Sequence, residues 1–579
     1  MNEHERMPVS FLFADCGSVT TTVALFDLVE ESYRLVARAV APATSRSPWH
    51  DVLIGVQNAT SQISEITGRA LLTDDGDFIV PQQLNGAGVD YFGVTISAAR
   101  PVTVFVAGLL EDVSVASARR ALESIYAQEI GSFTLDSPLS AEEQVQVILE
   151  TEPELIFISG GTDGSDSEQL RQLLETLELG TGLVHSGRQP DILFAGNRHL
   201  RESVTESFGA GSTVYIAENV RPSMDAEQLN DARQILADIY RERKIGALPG
   251  IRELASSVNL PMQASGRAFA TMIDYFGALY RSRVIGVDLG SSSVVFATSN
   301  HNEQGRLFIE SNLGMGEPLL RLLTLVELPE ILQWVPHETS ESRVRDFIYN
   351  KSIHPQSIPL LEEEVYLEQA LGRVILRQVL EKAAHSWDWA DEAPLLRSAS
   401  LIVLRGNVLA ASPRPGQALL TVLDALQPTG VFSLAVDRYG VLPMLGLLAT
   451  QEPAAVVQIL EGGALFELGW VIAPTGVGPP GEPALHISVE SEDRGEYRID
   501  AESGELITVP LAAGASAELT LKPEKKVDIG RGPGRGRKIT VHGGAVGLVV
   551  DVRGRPLRLP ADDEERRKRV RQWHWDMGG

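Results

Sequence analysis

Two similar turns, Asp15-Cys16-Gly17-Ser18 and Asp288-Leu289-Gly290-Ser291, organise this sequence. Each lies between two short apolar runs, which are Phe11 to Ala14, Val23 to Phe26, Val284 to Val287 and Val294 to Ala297. A strand, a tight polar turn and a second strand predict a β-hairpin. Because the two turns lie a domain's length apart, they also suggest an internal duplication with one turn in each half.

Between the turns, short apolar runs alternate with helical patterns. Leu155 to Ile158 precedes Gly160-Gly161-Thr162-Asp163-Gly164, and a helix is predicted from about Ser167 to Leu179. Later runs end at Gly196-Asn197 and Glu218-Asn219. This alternation predicts a mainly parallel sheet covered on both faces. Ligands bind at the carboxyl ends of strands in such sheets, and the polar turns are predicted to lie at those ends.

The second half repeats the α/β mixture and then changes. Helical patterns fill residues 315–390, and a strand over 401–404 runs into Arg405-Gly406-Asn407, followed by a helix. After Trp470, short apolar runs separated by Gly, Pro and charged turns predict a separate all-β module. The predicted domains are 1–283, a first lobe with an inserted α/β segment, 284–465, a second lobe, 470–560, the all-β module, and 561–579, a charged helical tail.

Composition limits the class of protein. The 579 residues are 44% hydrophobic and 22% charged, which is typical of a globular chain of several domains. The net charge of −27 disfavours nucleic acid and anionic membranes as partners over most of the surface. The single cysteine, Cys16, excludes an intramolecular disulfide. We see no signal peptide and no apolar run of membrane-spanning length, and we expect a cytoplasmic protein.

The Asp-x-Gly-Ser turns are the main candidates for chemistry. A hairpin rich in Gly, Ser and Thr can direct backbone N–H groups and hydroxyls at a phosphate. An aspartate at its start can hold Mg²⁺, which prefers carboxylate and water oxygens. Either turn alone is read as an ordinary β-turn, but two of them, one in each half, favour a nucleotide clamped between the halves.

Two further motifs have alternative interpretations. Gly160 to Gly164, before a helix, is either an anion site at the helix N-terminus or an ordinary loop with Ser167 as the N-cap. Residues 530–538 form a basic, Gly-rich loop that either contacts RNA or an acidic partner, or is simply a hairpin loop. No histidine has an aspartate two residues before it, and no His-Glu-x-x-His or Gly-x-Ser-x-Gly motif occurs. Hydrolase and metalloprotease functions therefore lack support.

The sequence resembles the MutL/GlmL-type glutamate mutase accessory proteins, which are unrelated to the mismatch-repair protein of similar name. The resemblance covers about residues 10–450. It rests on the two Asp-x-Gly-Ser-type turns, the Gly406 turn and an ordered series of motifs, which are Ser97-Ala98-Ala99, Gly160 to Gly164, Ala195-Gly196-Asn197 and Glu218-Asn219-Val220-x-Pro222.

The resemblance implies an α/β, two-lobed, actin-like ATPase fold with duplicated RNase H-like lobes, the β module and a short terminal helix being extensions. It implies ATP and Mg²⁺ as cofactors and an adenosylcobalamin-dependent mutase as the partner that the protein reactivates. Asp15 and Asp288 are the implied catalytic and metal-binding residues. The implied cofactor-binding residues are Gly17, Ser18, Thr20, Gly160, Gly161, Thr162, Asp163, Gly290, Ser291, Ser292 and, on the adenosine side, Gly406.

Three departures from the family pattern favour slow hydrolysis or none. Thr21-Thr22 stands where the first turn typically ends in Thr-Lys, Val295 replaces the distal acid of the second turn, and Gly406-Asn407 replaces a Gly-Gly pair. An actin-like pseudo-ATPase that works as a scaffold is therefore the alternative to an ATP-dependent reactivating chaperone. A sugar-kinase-like phosphotransferase is a weaker third hypothesis, since no catalytic base is identified. The sequence does not indicate the oligomeric state.

Overall fold

The computed structural model describes residues 9–165, 168–184, 189–301, 303–387, 399–491 and 495–578. The chain divides into two compact units. The first unit comprises the chain up to Ala98, Glu253–Leu307 and the chain from Asn312 onward, and the second comprises Ala99–Arg252 and Phe308–Ser311.

The strands of the described residues are numbered in chain order. They are β1 (Ser10–Cys16), β2 (Thr20–Val29), β3 (Ser32–Pro42), β4 (Tyr91–Ile96), β5 (Val102–Ala107), β6 (Ala127–Phe133), β7 (Leu155–Ile158), β8 (Asp191–Phe194), β9 (Val214–Ile216), β10 (Gln263–Ala264), β11 (Arg283–Leu289), β12 (Val294–Asn300), β13 (Glu303–Glu310), β14 (Ala399–Arg405), β15 (Gly430–Val436), β16 (Phe466–Ala473), β17 (Pro483–Ser491), β18 (Gly495–Glu502), β19 (Leu506–Val509), β20 (Ser516–Pro523), β21 (Arg537–His542) and β22 (Gly547–Asp551).

The α-helices are numbered in the same way. They are α1 (Val52–Thr67), α2 (Ala116–Leu122), α3 (Ala141–Thr151), α4 (Glu168–Gly182), α5 (Arg201–Phe208), α6 (Asn230–Tyr240), α7 (Ile251–Ser257), α8 (Ser265–Tyr280), α9 (Leu319–Leu325), α10 (Leu328–Leu332), α11 (Glu341–Ile353), α12 (Glu362–Ser386), α13 (Asn407–Ala410), α14 (Pro415–Leu426), α15 (Leu442–Ala449), α16 (Pro453–Ile459) and α17 (Asp563–Asp576). Within the described residues, no helix combines the length and the apolar character needed to cross a membrane.

The first unit contains the predicted duplication. One sheet has the order β3-β2-β1-β4-β10, and a second begins β13-β12-β11-β14-β15. In each, the central strand pairs antiparallel with the strand that follows it (β1 with β2, β11 with β12) and parallel with a later one (β1 with β4, β11 with β14). The matching order and directions confirm a two-lobed, actin-like α/β fold with duplicated lobes.

The two aspartates occupy equivalent places in this duplication. Asp15 pairs with Thr22 across the first hairpin, and Asp288 pairs with Val295 across the second. Both aspartates are buried near the ends of strands whose remaining side chains are nearly all buried and apolar. A charged side chain is therefore held at the carboxyl end of each central strand, where a parallel sheet presents its ligands.

The second sheet continues beyond the duplicated strands as β16-β22-β19. A separate antiparallel sheet, β18-β17-β20-β21, packs onto this extension, and apolar side chains from both sheets, among them Leu485, Leu519 and Val550, form one core. The C-terminal antiparallel sheet and the terminal helix α17 are thus both present, as the sequence predicts.

Helix α17 places His574 in a buried, charged environment. Its side chain lies edge-on to the Tyr366 ring at 4.8 Å, and neither ring nitrogen has a hydrogen-bond partner in the described part of the chain. Burial, together with the nearby Arg373 and Arg553 guanidinium groups, lowers the pKa of His574 from 6.5 to about 3. The folded protein therefore holds this imidazole neutral.

This pKa predicts a loss of stability in acid. Above about pH 6.5 His574 is neutral in both the folded and the unfolded chain. Below that pH only the unfolded chain takes up the proton, so the free energy of unfolding falls by up to about 1.4 kcal/mol per pH unit until the folded pKa is reached. In urea unfolding between about pH 6.5 and 5, H574F is expected to show a weaker pH dependence than the natural chain.

His486 supplies the control for this prediction. It is half exposed, and its hydrogen bond with Asp500, with a further one to Glu524, raises its pKa. The contribution of His486 to the free energy of unfolding therefore depends on pH with the opposite sign, because it is lost as the pH rises. If H574F and H486F altered the pH dependence in the same direction, the proposed environment of His574 would be wrong.

The second unit contains a five-stranded sheet in the order β6-β5-β7-β8-β9, with every pair parallel. Its polar turns lie at the carboxyl ends of β7, β8 and β9, as the alternating pattern predicts. Helix α4 begins at Glu168 among the described residues, and the predicted N-cap Ser167 lies outside them.

Candidate functional site

The two Asp-x-Gly-Ser turns have the same backbone geometry. The Gly17 N–H donates to the Thr20 carbonyl at 2.9 Å, and the Gly290 N–H donates to the Ser293 carbonyl at 3.0 Å. A Cβ atom at either glycine would lie 2.9 Å from that same carbonyl oxygen. Because this is closer than a carbon atom tolerates, both turns require glycine at the same position.

The structure brings the tips of the two turns together. The Ser18 and Ser291 hydroxyl oxygens lie 2.8 Å apart and share a hydrogen bond. The second tip is also fixed from behind, since the Met315 and Gly316 N–H groups donate to the carbonyls of Gly290 and Ser291. Thr20 and Ser292 flank the two tips in the chain. Residues of the two halves therefore form one local site.

Beneath the tips, one guanidinium joins the two aspartates. Arg405 ends β14, next to β11, and is the register partner of Asp288. Its Nη1 donates to Oδ2 of Asp288, and its Nη2 donates to Oδ2 of Asp15. Asp437, which follows β15, places its Oδ2 at 3.7 Å from Arg405 Nε. The Arg405 side chain is only 16% exposed, so this is a largely buried cluster of one cation and three carboxylates.

Other groups hold the carboxylates in place. The Thr95 and Ser265 hydroxyls donate to Oδ1 of Asp15 at 2.8 and 2.6 Å. The two oxygens of Asp437 accept from the N–H groups of Val441 and Leu442, both at 2.9 Å, at the start of α15. Asp437 is therefore also stabilised by the N-terminal end of a helix.

The charge state of the cluster follows from burial and its partners. Burial raises the pKa of the Asp288 carboxyl above its usual range, although Arg405 opposes this effect. Burial likewise raises the pKa of Asp437 against the influence of the same guanidinium. For Arg405, burial alone would lower the pKa, but Asp288, Asp15 and Asp437 together raise it above its ordinary value. Arg405 is therefore permanently charged.

The carboxylates do not fit a divalent ion that bridges both turns. Such an ion would have to contact Oδ2 of Asp15 and Oδ2 of Asp288, and the Arg405 guanidinium lies between those atoms. Of the carboxylate oxygens of Asp15, Asp288 and Asp437, only Oδ1 of Asp288 is buried without a hydrogen-bond partner. Mg²⁺ keeps several waters and takes its protein ligands from one or two carboxylates, and in this cluster a single carboxylate oxygen is left for it. Among the described residues, no group of three or more His, Cys, Asp or Glu side chains is arranged to hold a metal.

The predicted residue Gly406 sets the position of Arg405. Its φ is +103°, and a Cβ atom there would lie 2.1 Å from the Leu289 carbonyl oxygen. Only glycine allows β14 to approach the end of β11 so closely while turning into α13. Gly406 therefore belongs to the same local site as Asp288, whatever ligand the site holds.

The other predicted site residues, Gly160, Gly161, Thr162 and Asp163, belong to the second unit. There the Asn219 side-chain amide donates to the Gly161 carbonyl and to Oδ1 of Asp163, at 2.9 and 3.0 Å. The Arg198 N–H donates to the same Asp163 oxygen at 3.1 Å. This network joins three of the motifs on which the family resemblance rests, at the carboxyl ends of β7, β8 and β9. Their role in binding a ligand stays a prediction.

The basic Gly-rich loop is anchored by an acid. Oδ1 of Asp528 accepts from the N–H groups of Gly530, Arg531 and Gly532 at 2.7 to 2.9 Å. The carboxylate thus fills the anion-binding position of its own loop. These N–H groups are not available to a phosphate while Asp528 holds them.

Four site residues were not predicted from the sequence, namely Arg405, Asp437, Thr95 and Ser265. Two of them carried a signal, because Arg405 and Asp437 each stand at the carboxyl end of a strand in the same parallel set as β11. An arginine and an aspartate at neighbouring strand ends predict an ion pair once the strand order is known. Thr95 and Ser265 come from distant parts of the chain, and no local pattern marks them.

Two lobes of matching topology, each with an Asp-x-Gly-Ser turn at the end of its central strand, define the actin-like ATPase fold class. Within this class, the family model described as "MutL protein" matches residues 11–463. The chain belongs to the MutL protein family. No curated protein matches the chain.

Solved structures resemble the chain loosely over most of its length. A nucleotide-free acetone carboxylase has 11% identity and a TM-score of 0.36, covering 85% of this chain and 81% of that one. A glycerol dehydratase reactivase has 11% identity and a TM-score of 0.30, covering 77% and 100%. A diol dehydratase-reactivating factor in nucleotide-free form has 9% identity and a TM-score of 0.29, covering 76% and 99%.

Proposed function

We propose that this chain is a nucleotide-responsive accessory protein that reactivates an adenosylcobalamin-dependent mutase of the glutamate mutase type. Membership of the MutL protein family supports the type of partner. The observation that carries the nucleotide part is the contact between Ser18 and Ser291, since it joins turns from the two duplicated halves. A ligand that separates these hydroxyls also changes the relation between the two lobes.

Phosphate groups suit this position. The turns offer the Ser18, Ser291 and Ser292 hydroxyls, and Arg405 supplies a cation that contacts the aspartate of each turn. In the proposed cycle, the phosphates replace the bond between Ser18 and Ser291, and the lobes shift as a result. ATP supplies the phosphates when bound. The chain orients them through its turns and transmits the shift to a partner surface.

A reactivation assay tests the proposal. Glutamate mutase inactivated with a bound, damaged cobalamin is incubated with adenosylcobalamin, ATP and the chain, and the return of mutase activity is followed. We expect activity to return only when both the chain and ATP are present. S18L/S291L, which fills the space between the turns, is expected to be inactive, whereas S516L, altered at an exposed serine of β20, is expected to work normally. Equal recovery with and without the chain would contradict the proposal.

The Arg405 bridge favours a second candidate, an actin-like pseudo-ATPase that works as a scaffold. In this case the guanidinium joins the lobes permanently, and the chain supports its partner without nucleotide turnover. The replacement of the second turn's distal acid by Val295 is consistent with this alternative. Reactivation that does not need ATP, but does need the chain, would support the scaffold over the nucleotide-responsive factor.

A further inference from the structure

Arg405 places a positive charge among three carboxylates. Its two terminal nitrogens are directed at one carboxylate from each duplicated turn, and a third carboxylate, Asp437, lies beside Nε. A guanidinium has five donors in a fixed plane and matches two carboxylates at once, which a lysine ammonium does not. The side chain therefore performs the bridging that a metal ion would perform between acids.

The neighbouring contacts leave the carboxylates and Arg405 little freedom to change partners. Oδ1 of Asp15 is occupied by two hydroxyls, and both oxygens of Asp437 are occupied by the start of α15. The Arg405 backbone is fixed by the pairing of β14 with β11 and by the close approach of Gly406 to Leu289. A metal can be removed by chelation, but this cation is part of the chain.

We propose that Arg405 is the resident cation of this site in place of a divalent metal, so that nucleotide binds here without Mg²⁺. The inference about nucleotide rests on the function proposed above, whereas the inference about metal does not. In this proposal the phosphates take the position where Ser18 and Ser291 now meet. Mg·ATP gains no metal ligand from the two turns, because Arg405 already holds Oδ2 of Asp15 and Oδ2 of Asp288.

Calorimetric titration of ATP and ADP in excess EDTA, and again with Mg²⁺, tests the nucleotide part on the natural chain. We expect the Kd in EDTA either to equal the Kd with Mg²⁺ to within about threefold or to be lower than it. Binding that is about tenfold or more tighter with Mg²⁺ would overturn the inference. No binding in either buffer would refute the proposed function, and the metal titration below would then decide the inference.

Titration of Mn²⁺, followed by electron paramagnetic resonance, tests the metal part without nucleotide. The natural chain is expected to bind no Mn²⁺ that D288N removes. R405A, which frees Oδ2 of Asp15 and Oδ2 of Asp288, is expected to gain a Mn²⁺ site that R405A/D288N lacks. A Mn²⁺ site in the natural chain that D288N abolishes would overturn the inference. Should R405A fail to fold, the comparison of the natural chain with D288N decides the inference alone.

Discussion

The G406A variant, which adds one methyl group, is expected to lose about 3–5 kcal/mol of folding free energy. The added Cβ would lie 2.1 Å from the carbonyl oxygen of Leu289 and 2.6 Å from its carbonyl carbon. Both contacts are with backbone atoms, so no side-chain rotation relieves them. The φ of +103° with a ψ of 147° adds further strain, because this backbone region is essentially confined to glycine.

Relief of this clash has to separate the ends of β14 and β11. Arg405 and Asp288 are register partners at that point, so the separation also weakens the bridge between the two turns. We therefore expect G406A to lower both the urea midpoint and the affinity for nucleotide. The stability part is measured by urea unfolding at neutral pH.

G514A supplies a matched control for the backbone strain. Gly514 has a φ of +83°, and a Cβ atom there would meet nothing within 4 Å. This variant carries the conformational cost without the clash, and a loss of about 1 kcal/mol is expected. If the two variants lost the same stability, the close approach of Gly406 to Leu289 would not be a feature of the folded protein.

Much of the fold could be predicted because its signals are local. Each Asp-x-Gly-Ser turn lies between short apolar runs, and these runs form the paired strands β1 and β2, and β11 and β12. The parallel sheet of the second unit followed from the alternation of strands with helices such as α4. The predicted domain boundaries stay predictions. The composition changes at Trp470, and this residue lies inside strand β16.

The central feature of the site could not be predicted in the same way. Arg405 was assigned to a turn, because the residues next to it are Gly406 and Asn407. Its partners Asp15 and Asp288 lie hundreds of residues away and are brought near by strand pairing in two sheets. The sequence predicts Asp15 and Asp288 as Mg²⁺ ligands, one in each turn. The structure places a side-chain cation there.

The second large effect concerns nucleotide binding. If phosphates lie between the turns, a leucine in place of Ser18 fills their position, since Ser18 Oγ is only 2.8 Å from Ser291 Oγ in the free protein. The substitution leaves Asp15, Asp288 and Arg405 unchanged, so the buried charges keep their partners. Ser18 is partly exposed, so we expect S18L to fold normally.

The most direct measurement of the central claim is therefore calorimetric titration of ATP into the natural chain, S18L and S516L. We predict that the natural chain and S516L bind one ATP per chain with the same Kd, and that S18L loses affinity by about a hundredfold or more. Circular dichroism melting curves establish that all three proteins are folded. Binding of ATP to S18L with unchanged Kd, or no binding of ATP to the natural chain, would contradict the claim that the two duplicated turns form a nucleotide site.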